Sequence, residues 1–319
     1  MIKNDEETIL ITGATGTVGG EVVKQLLASP SSPGHDIIRA GVHSQNKADK
    51  FRQDNNYNNK VEIVNIDYDK PESLADALYD VDKLFLLTLP TPNITGETIS
   101  RVVKEAKKKG IKYIVKLSVM GADLVPGTRI GRLHREEEKI IEESGISYTV
   151  LRPNGFMQNF VNYLGMVIRN QDAFYLPGGD AKVSFVDVRD VAAVAADILL
   201  SKHKGSEQQH KNKAYDITGP EALSYSQAAE IMSNQIGRKI SYIAISEEED
   251  ARKVMKEVGM EDWYIAAMME FYKNAMELYN IDGGNWWSRT TTVAEQITGR
   301  KPISFAQFVK DYAEALISL

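Results

Sequence analysis

The 319-residue chain contains no cysteine. Disulfides, thiolate metal sites and cysteine nucleophiles are therefore excluded, and the absence fits a reducing compartment. Positive charge is also in short supply. Thirty-eight Lys and Arg stand against 44 Asp and Glu, and the formal net charge of -6 argues against a broad nucleic-acid surface. The longest apolar helical run, residues 191–200, is too short to span a bilayer and carries Asp197. Residues 1–7 are polar and acidic, unlike a signal peptide. The five histidines show no metal-ligand spacing, and neither a Walker lysine nor a nucleophile elbow occurs. What remains is a soluble, cytoplasmic globular protein with no membrane or direct nucleic-acid partner. Its 43% hydrophobic and 26% charged residues suit one large domain or two coupled ones.

The most informative stretch is Thr8-Ile9-Leu10-Ile11-Thr12-Gly13-Ala14-Thr15-Gly16-Thr17-Val18-Gly19. An apolar run at 9–11 ends at glycines spaced three apart, and Val18, Val22, Val23 and Leu26 then fall on one helical face. Strand, glycine turn and helix form the context of a dinucleotide site. Gly13 makes the tight turn, Gly16 lets the backbone approach a pyrophosphate, and Gly19 allows close helix packing. The helix N-terminus offers N–H groups and partial positive charge to the phosphates.

Further strands are predicted at 37–42, 61–66, 83–87, 113–117 and 148–152, with helices at 71–78, 98–109 and 133–144 between them. This alternation predicts an α/β protein of Rossmann type, a doubly wound parallel sheet. Residues 182–186 and 214–217 read as strands returning to that sheet around a helix at 188–200. The remainder is mostly helical, at 224–236, 247–258, 263–279, 292–298 and 304–316, with a short strand at 240–245. The predicted organisation is a nucleotide-binding domain over 1–155, its sheet completed by 183–218, and a substrate-capping region over 156–182 and 219–319.

Cofactor preference can be read at the end of the second strand. NAD sites place an acid about 20 residues beyond the glycines. Here the strand ends Gly41-Val42-His43-Ser44-Gln45-Asn46-Lys47, with no acid. His43, Ser44 and Lys47 suit a 2′-phosphate, so NADP(H) is favoured over NAD(H). Candidates for substrate walls are Phe156, Met157, Asn159, Phe160 and Tyr163, with part of the apolar stripe Ile265, Met268, Met269, Tyr272, Met276 and Tyr279. A flat aromatic ligand would suit such a surface.

Several stretches together resemble the NmrA-like family of atypical short-chain dehydrogenase/reductases. They are the glycine turn, Val115-Lys116-Leu117-Ser118, Leu151-Arg152-Pro153-Asn154-Gly155-Phe156-Met157-Gln158-Asn159, Asp187-Val188-Arg189-Asp190 and Thr298-Gly299-Arg300-Lys301-Pro302. That resemblance implies a reductase of quinone-like or azo acceptors, acting as a monomer or homodimer. The alternative it implies is a redox sensor that binds NADP(H) without turnover and acts through a protein partner. It also implies cofactor contacts from Thr15, Thr17, Asp67, Tyr68, Thr88, Leu89, Pro90, Pro153, Asn154 and Phe156. Ser118 aligns with the strand end that usually carries the catalytic Ser. The usual Tyr-x-x-x-Lys pair is missing from its place, because the only such spacing is Tyr79 to Lys83, before the fourth strand. His134 stands on the expected helix, where the resemblance implies a donor of a proton or hydrogen bond to the reduced acceptor.

Overall fold

The computed structural model describes residues 6–29, 36–55, 60–89, 95–125, 127–201, 205–257, 259–282 and 286–317. Strands β1 (Thr8–Ile11), β2 (Ile37–Val42), β3 (Val61–Asn65), β4 (Lys83–Leu86), β5 (Tyr113–Leu117) and β6 (Ser147–Pro153) pair in parallel. Strands β7 (Ala173–Leu176), β8 (Lys182–Val183) and β9 (Lys213–Ile217) follow. The main sheet has the order β3-β2-β1-β4-β5-β6-β9. Its order reverses between β1 and β4, and the carboxyl ends of strands flanking such a switch point form the ligand crevice of open α/β sheets.

Helices α1 (Thr17–Ala28), α2 (Gln45–Asn55), α3 (Pro71–Ala77), α4 (Gly96–Lys108) and α5 (Arg129–Ser144) connect the first six strands. Strands buried on both faces read as nearly continuous apolar runs, and all four residues of β1 and of β4 are buried, with the Lys83 ammonium at the start of β4 paired to Glu7 at 2.7 Å. Leu10, Leu84, Leu86 and Ile114 pack against Leu74 and Ala77 of α3 and Ile99, Val102 and Val103 of α4. The Lys107-Lys108 run closes α4 beside its own C-terminal dipole, and Lys107 donates to the Ser144 carbonyl at the end of α5, 2.7 Å away.

Two compact units emerge. The first comprises Met1–Ser118, Leu133–Arg152 and Val191–Tyr215, and the second comprises Val119–Arg132, Pro153–Asp190 and Asp216–Leu319. Residues 119–132 thus group with the second unit, although the sequence pattern counts them with the nucleotide-binding domain. A second difference concerns 182–186. Only β8 is strand there, and it pairs antiparallel with β10 (Leu223–Ser224) instead of joining the main sheet. Strand β11 (Ser241–Ala244) likewise pairs with β7, in parallel.

The second unit is built on an aromatic core. Phe160 lies 5.0 Å from Phe305, 5.3 Å from Phe185 and 5.7 Å from Phe174, centroid to centroid, mostly edge to face. Edge-to-face contact is the arrangement favoured by ring quadrupoles. The Asp187-Val188-Arg189-Asp190 motif fastens distant chain to this core. Fully buried Asp187 takes bonds from Gln158 at 2.9 Å and from Arg189, whose other arm reaches Asp311 at 2.7 Å. Asp190 accepts the Ile303 N–H at 2.8 Å.

Asp190 carries a testable pH dependence. Burial, with Asp187 nearby, pushes its carboxyl up to about 6, against opposing pulls from the Ile303 N–H, Arg189 and Arg300. Its pKa is raised on folding, so its contribution to stability is full below the unfolded value and is lost as pH rises through about 6. Asp190→Asn keeps an oxygen for Ile303 and removes the titration. The variant should be more stable than the parent at pH 7.5, by roughly 1 kcal/mol after solvent screening. Thermal unfolding across pH should show that advantage shrink as pH falls below about 6 and vanish below the unfolded value of 3.8. An advantage independent of pH would contradict the assignment.

Candidate active site

In the first unit, the exits of β1 and β4 are joined through one hydroxyl. Thr12 Oγ1 accepts the Leu87 N–H at 2.8 Å and lies within 3.1 Å of the Phe85 carbonyl. Gly13 then turns with φ +64, in the left-handed region that favours glycine, against Leu87. The Gly16 N–H closes the turn on the Gly13 carbonyl at 2.9 Å. Gly16 is the N-cap of helix α1, which begins without a side-chain cap bond and without an acid in its first turn. Thr15, Gly16 and Thr17 are exposed, while Val18 and Gly19 are buried. A Cβ on Gly19 would lie 2.3 Å from the Gly13 carbonyl oxygen. The close packing that Gly19 permits is therefore onto the turn's own backbone.

At the end of β2, His43 and Lys47 are exposed and Ser44 is partly buried. Asp67, just past β3, accepts the Asp69 N–H at 3.0 Å and pairs with Lys70 at 3.1 Å. Those two contacts hold its carboxyl below the usual range. The Tyr68 hydroxyl donates to the Leu87 carbonyl at 3.2 Å, and burial raises its pKa strongly. Thr88 is buried and Leu89 exposed, while Pro90 lies outside the described residues.

Helix α5 begins four residues earlier than its apolar pattern suggests and buries a polar face. His134 is buried, as are Glu137 and Glu138, so none of the three lies on a solvated helix face. Glu138 Oε1 accepts from Ser118 Oγ at 2.6 Å and Arg152 Nε at 2.9 Å, and its Oε2 accepts from Arg152 at 2.7 Å and Arg135 at 2.9 Å. Burial would raise the Glu138 pKa, but the Arg152 and Ser118 bonds outweigh it and leave it lowered. The single hydroxyl proton of Ser118 is thereby committed to Glu138.

His134 is held by Glu137. Its Nδ1 lies 3.2 Å from Glu137 Oε2, which also receives Lys116 Nζ at 2.9 Å and Thr88 Oγ1 at 2.8 Å. Lys116 further donates to Thr88 Oγ1 at 3.0 Å and to the Leu117 carbonyl. Burial opposes ionisation of Glu137, yet Lys116 and His134 pull its pKa down to about 2. Burial first, and Lys116 second, depress the imidazole of His134. Glu137, Lys116 and Thr88 as a network lie beyond what the linear pattern reveals. Lys116 and Ser118 on one strand face were its only visible trace.

The remaining candidates belong to the second unit. Pro153 is buried, and its carbonyl accepts the Met120 N–H at 2.9 Å. Asn154 is a staple, donating to Ser184 Oγ at 2.7 Å and the Trp287 carbonyl at 2.8 Å. Met157 is 0% and Phe160 1% exposed; both are core side chains with no surface for a ligand in this arrangement. Tyr272 is also buried, its hydroxyl 3.4 Å from that of Tyr225. Phe156, Asn159 and Met268 are partly exposed, and Tyr163 is 42% exposed.

A doubly wound sheet with a glycine turn at its switch point places the molecule among the Rossmann-type α/β proteins. Within that class, the chain belongs to the NmrA-like family, whose model matches residues 5–298. It is 34% identical over 307 residues to an NAD(P)H azoreductase of Xenophilus azovorans, spanning 96% of this chain and 98% of that protein. Among solved structures, it is similar to an NADPH-dependent quinone oxidoreductase of Escherichia coli in complex with NADPH. The TM-score is 0.78 at 26% identity, covering 96% of this chain and 99% of the other. A triphenylmethane reductase of Citrobacter sp. complexed with NADP(H) gives 0.76 at 25% identity, covering 95% and 99%. Among the described residues, no helix is long and apolar enough to cross a membrane.

Proposed function

We propose that this chain is an NADPH-dependent reductase that passes hydride to a planar conjugated acceptor, a quinone or an azo compound. The observation that carries the reading is the glycine turn: an uncapped, acid-free helix start with exposed backbone at the switch point of the sheet. The azoreductase and the quinone oxidoreductase support the choice of acceptor.

The residues present fit a dinucleotide. Gly13, Thr15, Gly16, Thr17, Val18 and Gly19 would hold the pyrophosphate. His43, Ser44 and Lys47 would meet the 2′-phosphate, and Asp67 and Tyr68 would line the adenine side. Thr88, Leu89, Ser118 and His134 would border the nicotinamide half. When bound, the reduced nicotinamide supplies the hydride, so no amino-acid nucleophile is needed. Quinones take up protons readily once reduced, so the missing Tyr-Lys pair weighs against alcohol or sugar chemistry more than against this one. Phe156, Asn159, Tyr163 and Met268 are each at least partly exposed.

Purified protein with NADPH should turn over quinones and azo dyes and leave simple aldehydes largely untouched. Preference for aldehydes would overturn the reading. Cofactor choice gives a second expectation. With Asp67 engaged by Lys70 and no acid at 42–44, NADPH should bind about tenfold tighter than NADH, about 1.4 kcal/mol. His43→Asp should erase or reverse that margin in calorimetric titrations. Equal affinities in the parent would remove His43, Ser44 and Lys47 from phosphate recognition.

A further inference from the structure

The donors and acceptors around Glu137 can be counted one by one. An ammonium has three N–H bonds, and those of Lys116 go to Glu137 Oε2, Thr88 Oγ1 and the Leu117 carbonyl. Thr88 Oγ1 accepts from Lys116, so its own proton goes to Glu137 Oε2, 2.8 Å away. That carboxylate oxygen already receives two donors when His134 Nδ1 approaches to 3.2 Å. An ionised carboxylate only accepts, so the third contact requires a proton on Nδ1. Neutral imidazole carries one N–H, which leaves a lone pair on Nε2.

We propose that Glu137 is a positioning residue that fixes His134 as the Nδ1–H tautomer, so that Nε2 accepts a hydrogen bond from the nicotinamide half of the bound cofactor instead of giving a proton to the substrate. This reverses the role that family resemblance suggests for His134, and it rests on the reductase reading above. The cofactor groups with the required chemistry are the ribose hydroxyls and the carboxamide N–H. The proton balance changes accordingly. The acceptor gains a hydride with its electron pair, the oxidised cofactor leaves, and the proton that completes the reduced product comes from water.

The charged groups acting on the imidazole are Lys116 on β5 and Glu137 and Glu138 on α5, with Arg152 of β6 behind Glu138 and Thr88, beyond β4, bonded to Lys116 and Glu137. Burial and Lys116 depress the pKa of His134 and so favour its neutral form, with Glu137 and Glu138 opposing them. The neutral form is the one in which the tautomer matters.

Long-range nitrogen-proton correlation spectra of the full-length protein, labelled at its five histidines, read the tautomer directly and without activity. His134→Gln identifies the resonances. At pH 7 and without ligand, His134 should show protonated Nδ1 and unprotonated Nε2; protonation at Nε2, alone or in an imidazolium, overturns the proposal. Adding NADP⁺ should shift Nε2 in the direction of hydrogen-bond acceptance. Binding by calorimetry without that shift overturns the acceptor role. Failure of NADP⁺ to bind at all would instead overturn the reductase reading, while the ligand-free spectrum still judges the tautomer. Glu137→Gln should mix the two tautomers and raise the KM for NADPH roughly tenfold, with kcat at saturation changed less than about threefold. A folded Glu137→Gln protein with an unmixed tautomer would remove Glu137 from this role. If that variant does not fold, the parent spectrum decides alone.

Discussion

Gly16→Val should weaken NADPH binding by at least about 100-fold, or 2.7 kcal/mol, in a protein that still folds. Gly16 has φ -91, which any residue adopts, and a Cβ there would meet only the Gly13 carbonyl oxygen, at 3.3 Å. The backbone therefore accommodates the substitution with a shift of a few tenths of an ångström, far less than Gly19 would require. The branched side chain, however, stands where phosphate would meet the uncapped N–H groups of α1. Gly19→Ala makes the matching control, since its Cβ would fall 2.3 Å from the same oxygen, where the turn itself must move. That variant should lose stability and binding together, whereas Gly16→Val should lose binding alone. Calorimetry with thermal unfolding separates the two cases. Unchanged affinity in folded Gly16→Val would detach the glycine turn from cofactor binding.

The second large effect is structural. Glu138→Ala should destabilise the protein by about 3–5 kcal/mol, the usual result of removing one partner from a buried ion pair. Glu138 is 0% exposed and takes two bonds from Arg152, itself 8% exposed, along with those from Ser118 and Arg135. Removing the carboxylate leaves a buried guanidinium beside a void. Replacing both partners by apolar residues of similar volume, Glu138→Leu with Arg152→Met, should recover much of the loss. Urea unfolding reads both variants. A loss below about 1 kcal/mol for Glu138→Ala would mean that the pair behaves like a surface contact.

Local signals carried much of this architecture. Residues 9–11 and 83–87 read as strands because a parallel sheet buried on both faces favours nearly continuous apolar runs. The turn at 13–19 read as a nucleotide loop because glycine spacing, strand and helix coincided. The polar face of α5 was harder. His134, Glu137 and Glu138 look like an ordinary charged helix until Lys116, Thr88 and Arg152 arrive from three separate strand ends. Contacts between residues 88, 116 and 137 leave no periodic trace. Apolar residues raised the opposite problem. Met157 and Phe160 share the character of a binding wall, yet Phe174, Phe185 and Phe305 enclose Phe160 from distant parts of the chain. Nothing local distinguishes a core phenylalanine from a pocket phenylalanine. Strand β8 is a similar case, since the run 182–186 has strand composition and its partner β10 lies some 40 residues further on.

The central claim is that hydride passes directly from bound NADPH to a planar acceptor. The most direct measurement is a single turnover of the protein, preloaded with NADPH, against a naphthoquinone, repeated with cofactor deuterated at the transferred position. Cofactor oxidation and quinone reduction should proceed at one common rate, slowed by deuterium. Tight NADPH binding with no oxidation by any quinone or azo acceptor would contradict that account and make the chain a nucleotide sensor.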